Sequence, residues 1–380
     1  MSPMSFTAHA TTRAEEDLRT EVRTFVSEEM SRMGIDPGLG IGAVHCPEFS
    51  KRLAARGWVG MSIPTRHGGH GRTAVERFIV IEELLAAGAP VAAHWIADRQ
   101  TAPSILAFGT DDQRERFLPG IAAGESYWSL GMSEPDAGSD LAAVRTAARQ
   151  VGGGWSLSGT KMWTTNAHRN HYVVVLCRTS SESDRHAGLS QLIVDLTSPG
   201  VEVSAITSLN GGHHFNAVTF TDVFVPDDLV LGTVGDGWRQ VTTELAHERA
   251  TPDRYMSTSA LLTSFLDHLY THPDAQPAAW TAIATLTARL WTLRHMSLNL
   301  ARTLDSAGAS AEHAALVKDL GTAFEQESID VMRTFVSGPL ISGSTVLFER
   351  MLANAVLVSP TFTLRGGTSE VLRTMIARRL

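Results

Sequence analysis

Two short segments gather residue types suited to holding a polar heterocycle. The first, Gly131-Met132-Ser133-Glu134-Pro135-Asp136-Ala137-Gly138-Ser139-Asp140, combines small residues, a proline, hydroxyls and carboxylates. In such a loop backbone N–H groups can approach a ligand closely and cradle a diphosphate or the polar edge of a ring. Taken alone, Asp-Ala-Gly-Ser-Asp is more often a plain turn. The second segment, Lys161-Met162-Trp163-Thr164-Thr165, sets a flat indole among hydroxyl donors and acceptors, with Asn166 beside them. An isolated Trp is usually core, but this one sits among polar residues. Glu244 and Glu248 add two carboxylates on one helical face at i, i+4, where both could line a cleft. A glutamate in a partly desolvated pocket gains proton affinity and can act as a base. Most pairs like Glu248-Arg249 are ordinary charged helix residues.

These segments need elements to position them. Apolar residues recur at helical spacing in Leu18, Val22, Phe25 and Val26, and again in Phe78, Ile79, Ile81, Leu84 and Leu85. Tyr172-Val173-Val174-Val175-Leu176-Cys177, Gln191-Leu192-Ile193-Val194-Asp195, Val201-Glu202-Val203 and Ala217-Val218-Thr219-Phe220 are short β-branched or alternating runs between turn residues. After Gly235-Asp236-Gly237 the helical pattern returns and persists, rich in Ala, Leu and Met with few breakers, as in a bundle. The order is α, then β, then α. It divides the chain into a helical domain at 1–128, a β domain at 129–232 and a helical bundle at 233–380.

The bulk numbers agree with a globular protein. The 380 residues are 43% hydrophobic and 19% charged, enough to bury a sizeable core. A formal net charge of -8, with both signs mixed along the chain, argues against a nucleic-acid or membrane-surface binder. Two cysteines, Cys46 and Cys177, lie far apart without metal-ligand spacing, so neither a disulfide framework nor a metal site is expected. No run is long and apolar enough for a signal peptide or a membrane span. The expected location is the cytoplasm.

The two segments together resemble the acyl-CoA dehydrogenase family, and the resemblance covers nearly the whole chain. Gly57-Trp58-Val59-Gly60 with Pro64 and Gly68-Gly69-His70-Gly71, then Glu82-Glu83-Leu84, look like its N-terminal domain. Phe117-Leu118-Pro119-Gly120-Ile121-Ala122-Ala123-Gly124-Glu125 leads into the signature loop, Val223-Phe224-Val225-Pro226 closes the β domain, and Gly366-Gly367-Thr368-Ser369-Glu370-Val371 is similar to the C-terminal signature. The resemblance implies an α+β fold: an N-terminal helical domain, a middle antiparallel β-barrel or sandwich, and a C-terminal four-helix bundle. It implies FAD as cofactor. Met132 and Ser133 would meet the flavin's pyrimidine edge, with Leu130 and Gly138 nearby, and Ser139 would serve the phosphate or pantetheine region. Trp163 would pack on the isoalloxazine, Thr164 and Thr165 beside it with Thr165 near N5, and Thr368 and Glu370 would lie near the diphosphate and adenosine. Thr368 also suits a helix N-cap whatever the ligand.

The implied reaction introduces an α,β double bond into an acyl thioester, on CoA or an acyl-carrier protein, and passes electrons to an electron-transfer flavoprotein. Many family members place the base directly before the C-terminal Gly-Thr, where this chain has Gly366, which cannot take a proton. Others place it directly before an arginine on an internal helix, which here is Glu248 before Arg249. The resemblance thus makes Glu248 the base and gives Arg249 and Gly366 to the substrate. The Gly366 N–H would hold the thioester oxygen, and its missing side chain would leave room for a bulky acyl group. His94, Asp98 and Arg99 lie on a helix that borders the acyl cavity in the family; a capped or salt-bridged helix surface explains them, with no catalytic role.

A second departure concerns the diphosphate end. Family homotetramers usually supply an Arg-x-x-Phe-Gly element to the neighbouring subunit's FAD. Between Arg254 and Trp280 this chain has Leu261 to Tyr270 and His272-Pro273-Asp274, with no such element, and the later Gly-Gly segment is reduced to Gly338 and Ser342-Gly343-Ser344. In this it is similar to the bacterial heteromeric members acting on steroid side chains, where a sister subunit completes the site; a homo-oligomer is the other arrangement. A flavin monooxygenase or oxidase on the same fold, or a non-catalytic partner subunit, are the alternative functions.

Overall fold

Three early helices begin at a threonine whose side chain accepts the N3 amide while the N3 side chain returns to the threonine N–H. The pairs are Thr12 with Glu15, Thr73 with Glu76 and Thr110 with Gln113. They start α1 (Arg13–Met33), α3 (Ala74–Ala86) and α5 (Asp111–Ala122), with α2 (Pro47–Ala55) and α4 (Ala102–Phe108) between them. Eight strands follow: β1 (Trp128–Gly131), β2 (Ala147–Val151), β3 (Gly154–Thr165), β4 (Tyr172–Arg178), β5 (Leu189–Asp195), β6 (Val201–Thr207), β7 (His213–Pro226) and β8 (Val230–Leu231). The chain then runs through α6 (Gly237–Arg249), α7 (Ser259–Thr271), α8 (Pro277–Ala307), α9 (Ala311–Arg333), α10 (Leu347–Val358) and α11 (Ser369–Ala377). This computed structural model describes residues 10–40, 44–182, 184–249, 251–272, 277–307 and 311–378, without the side chains of 246–248 and 305–307. Pro273 and Asp274 lie outside the described residues. The α, β, α order and the α+β class are those expected.

The contacts divide the chain into two compact units. A helical unit takes the described residues of 1–45, 73–91 and 246–380, and a sheet unit takes 46–72 and 92–245. The helices before Trp128 are therefore shared: α1 and α3 belong with the C-terminal helices, and α2, α4 and α5 with the sheet. In the helical unit α7, α8, α9 and α10 pack on one another as a bundle, α11 packs on α9, and α3 packs on α1, α7 and α8. Glu82 and Glu83, buried on α3, tie these helices together. Arg294 donates to Glu82 at 2.6 Å and Arg23 to Glu83 at 2.9 Å.

In the sheet unit the strand order is β6-β7-β3-β2-β4-β5-β8, with β1 beside β4. The ladders are antiparallel except β1–β4 and the short β2–β4 pairing. Neither pair is joined by a hairpin: β2 and β3 lie between β1 and β4 in the chain, and β3 lies between β2 and β4. Trp155, Leu157, Val173, Val175, Leu192 and Val218 belong to one buried apolar cluster, and Phe117 of α5 meets Trp128 edge-on at 5.0 Å.

One expectation needs correction. His94, Asp98 and Arg99 are not a helix surface; all three are buried, around one turn of π-helix at Ala97–Thr101. His94 Nδ1 lies 2.8 Å from Ser50 Oγ, the Gly60 N–H donates to Asp98 at 2.7 Å, and the Arg99 guanidinium lies 4.6 Å over the Trp95 ring. Polar partners from the chain replace water here, which spacing within one helix cannot reveal. Among the described residues no helix is long and apolar enough to cross a membrane.

Candidate functional site

Strand β3 explains how Trp163 reaches solvent. Alternation turns Trp155, Leu157 and Lys161 to the core side, and all three are buried. Opposite β7 the register then slips: Lys161 pairs with Val218 and Thr164 with Asn216, so β3 carries one residue more than its partner. The bulge is closed by Trp163 in the left-handed region, φ 61°, which a side chain adopts at a cost of roughly 1–2 kcal/mol. Lys161 and Thr164 consequently both face inward, while the indole between them is 57% exposed. Phe215 supports it edge-on at 6.0 Å. Strain of this kind collects at ligand sites.

A buried ion pair joins this strand to the loop after β1. The Lys161 ammonium donates to Glu134 Oε1 at 2.7 Å and to the Met132 carbonyl at 2.9 Å. The Glu134 carboxylate also accepts the Arg145 N–H at 2.7 Å and the Thr146 N–H at 2.9 Å. Burial opposes ionisation of Glu134, yet Lys161 and these donors hold its carboxyl below the usual range; burial likewise pulls the Lys161 ammonium down, against the pull of Glu134. The backbone adds a second tie, the Met162 N–H to the Ser133 carbonyl at 2.8 Å. Sequence reasoning placed Lys161 and Glu134 in the two segments but missed that they pair. A lysine in register with Trp155 and Leu157 on an alternating strand was the signal available.

Each candidate of the sheet unit now has a place. Leu130 packs on the main core and Met132 on a smaller cluster with Leu176 and Val241, and both are partly buried. Ser133 and Thr165 are half-buried beside the clamp. Thr164 is buried, its carbonyl accepting from Asn216 at 2.9 Å. Gly138 and Ser139 are exposed at the outer end of the turn, next to Asp140, which pairs with Arg185. Glu244 is buried and accepts from Gln100 at 2.7 Å.

In the helical unit the C-terminal signature is a turn with φ 67° at Gly366 and 98° at Gly367, leading into α11. Cations grip its carbonyls. Arg249 donates to the Gly366 carbonyl at 2.8 Å, and the buried Lys318 donates to the Gly367 carbonyl at 2.8 Å. A Cβ on Gly367 would stand 3.0 Å from the Arg249 guanidinium, so glycine lets that side chain approach. Arg365 reaches the other way, to Glu325 at 2.9 Å and Ser257 at 2.7 Å. Thr368 is the N-cap of α11, its hydroxyl accepting the Val371 N–H at 3.5 Å. Glu370 is exposed in the first turn, where its own N–H and then the Thr368 hydroxyl hold its carboxyl below the usual range. Glu248 belongs to the backbone of α6, but its side chain lies outside the described residues.

The donors present in the sheet unit fit a flavin. An exposed flat indole sits on a strained bulge, Ser133 and Thr165 carry half-buried hydroxyls, and the loop peptides are tied to β3. Profiles of the acyl-CoA dehydrogenase N-terminal, middle and C-terminal domains match residues 12–125, 129–223 and 235–380. Acyl-CoA dehydrogenase FadE26 of Mycobacterium tuberculosis is 31% identical over 394 residues, 96% of each chain. Acyl-CoA dehydrogenase IpdE1 of the same organism is 39% identical over 241 residues, 62% of this chain and 63% of that one, so the match spans less than two thirds of that relative. The solved structure described as the Tcur3481-Tcur3483 steroid ACAD superposes with a TM-score of 0.85 at 26% identity, covering 97% of each chain. The chain belongs to the acyl-CoA dehydrogenase family of FAD-dependent oxidoreductases.

Proposed function

We propose that the chain dehydrogenates an acyl thioester between its α and β carbons, with Glu248 taking the α-proton on its carboxylate. The observation that carries this reading is the 2.8 Å hydrogen bond from Arg249 to the Gly366 carbonyl. Gly366 stands where other members have their base, and the contact brings the residue after Glu248 to that point of the chain. When bound, FAD supplies the acceptor for the β-hydride. Trp163, Ser133 and Thr165 would hold its ring. The Gly366 N–H would steady the thioester oxygen as charge develops. Its missing side chain leaves room for a bulky acyl group, in keeping with a relative described as a steroid ACAD. That relative's name joins two proteins, which supports assembly with a sister subunit; electrons would pass to an electron-transfer flavoprotein.

The test is to purify the protein, alone and with a sister subunit, and add acyl-CoA esters anaerobically. Bleaching of the yellow flavin by a bulky ester is expected, with Glu248→Gln slowing it by about a thousandfold, as for loss of a general base. Unchanged bleaching in Glu248→Gln rejects the base. A flavin that no ester bleaches rejects the reaction.

A further inference from the structure

We propose that Lys161, through its grip on the Met132 carbonyl and on Glu134, positions the Ser133 amide for the flavin's pyrimidine edge. The inference rests on the reading of Met132 and Ser133 given above. A trans peptide is planar, so the Met132 carbonyl and the Ser133 N–H point in opposite directions. With the carbonyl held by Lys161 at 2.9 Å, that N–H is fixed facing away from the ammonium. The next peptide is fixed as well, because the Ser133 carbonyl accepts the Met162 N–H at 2.8 Å. Two successive peptides are therefore locked to β3, one by a side chain and one by backbone.

Packing alone does not require a lysine here. Lys161 is fully buried in a sheet whose neighbouring inward positions are Trp155 and Leu157, and apolar residues of similar size commonly replace buried ion pairs without loss of stability. The surroundings are nonetheless built around this side chain. Gly131 lacks the Cβ that would stand 3.1 Å from Lys161 Cγ, and Glu134 is held by two further N–H groups that keep its carboxylate from following a displaced partner. The pair also lies between the two segments that carry the flavin contacts, 131–134 and 161–165. A charge-assisted hydrogen bond there sets the loop more stiffly than a neutral one.

The experiment compares the FAD-loaded protein with Lys161→Met, Glu134→Gln and the double variant, reading apoprotein melting temperature, FAD dissociation constant and the shape of the visible flavin band. The single variants melt lower, and the double variant, with no buried charge left, recovers most of that loss. Its FAD nevertheless dissociates about tenfold more readily, with an altered band. Gly131→Ala keeps both charges and crowds the lysine stem, and weakens FAD in the same direction should the charge variants fail to fold. Wild-type affinity and band in the folded variants overturn the proposal. A wild-type flavin that no acyl-CoA bleaches rejects the functional reading instead, while the affinity comparison still decides this one.

Discussion

Glu134 in the sheet unit and Glu325 in the helical unit are both buried carboxylates, each facing a cation within 2.9 Å and a backbone N–H at 2.7 Å. Their protonation is nevertheless pushed in opposite directions. Burial raises both. At Glu134 the Lys161 ammonium and the Thr146 and Arg145 amides outweigh it, and the carboxyl ends below its usual range. At Glu325 burial wins over Arg365 and Ser257, Asp253 adds to it, and the carboxyl ends above. The same Arg365 nitrogen also donates to the Asp253 carbonyl and the Ser257 hydroxyl. A nearby cation does not suffice to keep a carboxylate charged; it must be shared little enough, and backed by enough N–H groups, to offset lost hydration.

The sharpest way to break this comparison is to neutralise each carboxylate in the apoprotein. Glu134→Gln leaves the Lys161 ammonium buried without its counter-charge and is expected to cost about 3 kcal/mol or more in chemical denaturation at neutral pH. Glu325→Gln keeps one carbonyl oxygen for either Arg365 or the Ser257 N–H and sets an NH2 against the other, but Arg365 retains the Asp253 carbonyl and the Ser257 hydroxyl, so a smaller loss of about 1–2 kcal/mol is expected. Equal losses would show that the two sites do not differ as described.

The pH dependence gives a subtler separation. The folded-state pKa of Glu134 lies below its ordinary value of 4.5, so the folded state prefers its charged form. Its contribution is present above the unfolded pKa and is lost as pH falls below 4.5 through the folded value. Glu325 has the reverse sign. Its folded pKa lies above 4.5, so its contribution is fully present below the unfolded value and is lost as pH rises through the folded one. Denaturation midpoints of the two variants, measured against wild type from acid to neutral pH, should therefore diverge in opposite senses. Parallel curves would contradict the assignment.

The sequence carried the coarse architecture because helix and strand periodicities are local. Trp238 to Arg249, Ala311 to Thr334 and Tyr172 to Cys177 stand out by spacing and fall within or almost within α6, α9 and β4. The twelve residues of β3 were harder to see, because Gly159 and the bulge at Trp163 interrupt their alternation. Long-range polar partners were illegible. His94 with Ser50, Asp98 with the Gly60 amide and Lys161 with Glu134 depend on strands and loops meeting across the fold, and a charged residue in one helix or strand looks solvated until its partner is known. The two segments were legible as motifs, whereas the Lys161–Glu134 pair that ties them together was not.

Trp163 gives the finest contrast with the buried Lys161–Glu134 pair, since its exposed side chain is proposed to serve the flavin and has little to hold in the fold. Lys161 is wholly buried two residues away, while the indole is 57% exposed and its backbone holds φ 61°. Trp163→Gly removes the ring and the left-handed strain of roughly 1–2 kcal/mol. Against this stand the Phe215 contact and the greater freedom of glycine in the unfolded chain, worth about 0.5–1 kcal/mol. The opposing terms nearly cancel, so the apoprotein melting temperature should stay close to wild type, while FAD affinity falls with the lost stacking surface. A large drop in apoprotein stability would mean that the indole is a structural side chain after all, and that the bulge exists to pack it rather than to present it.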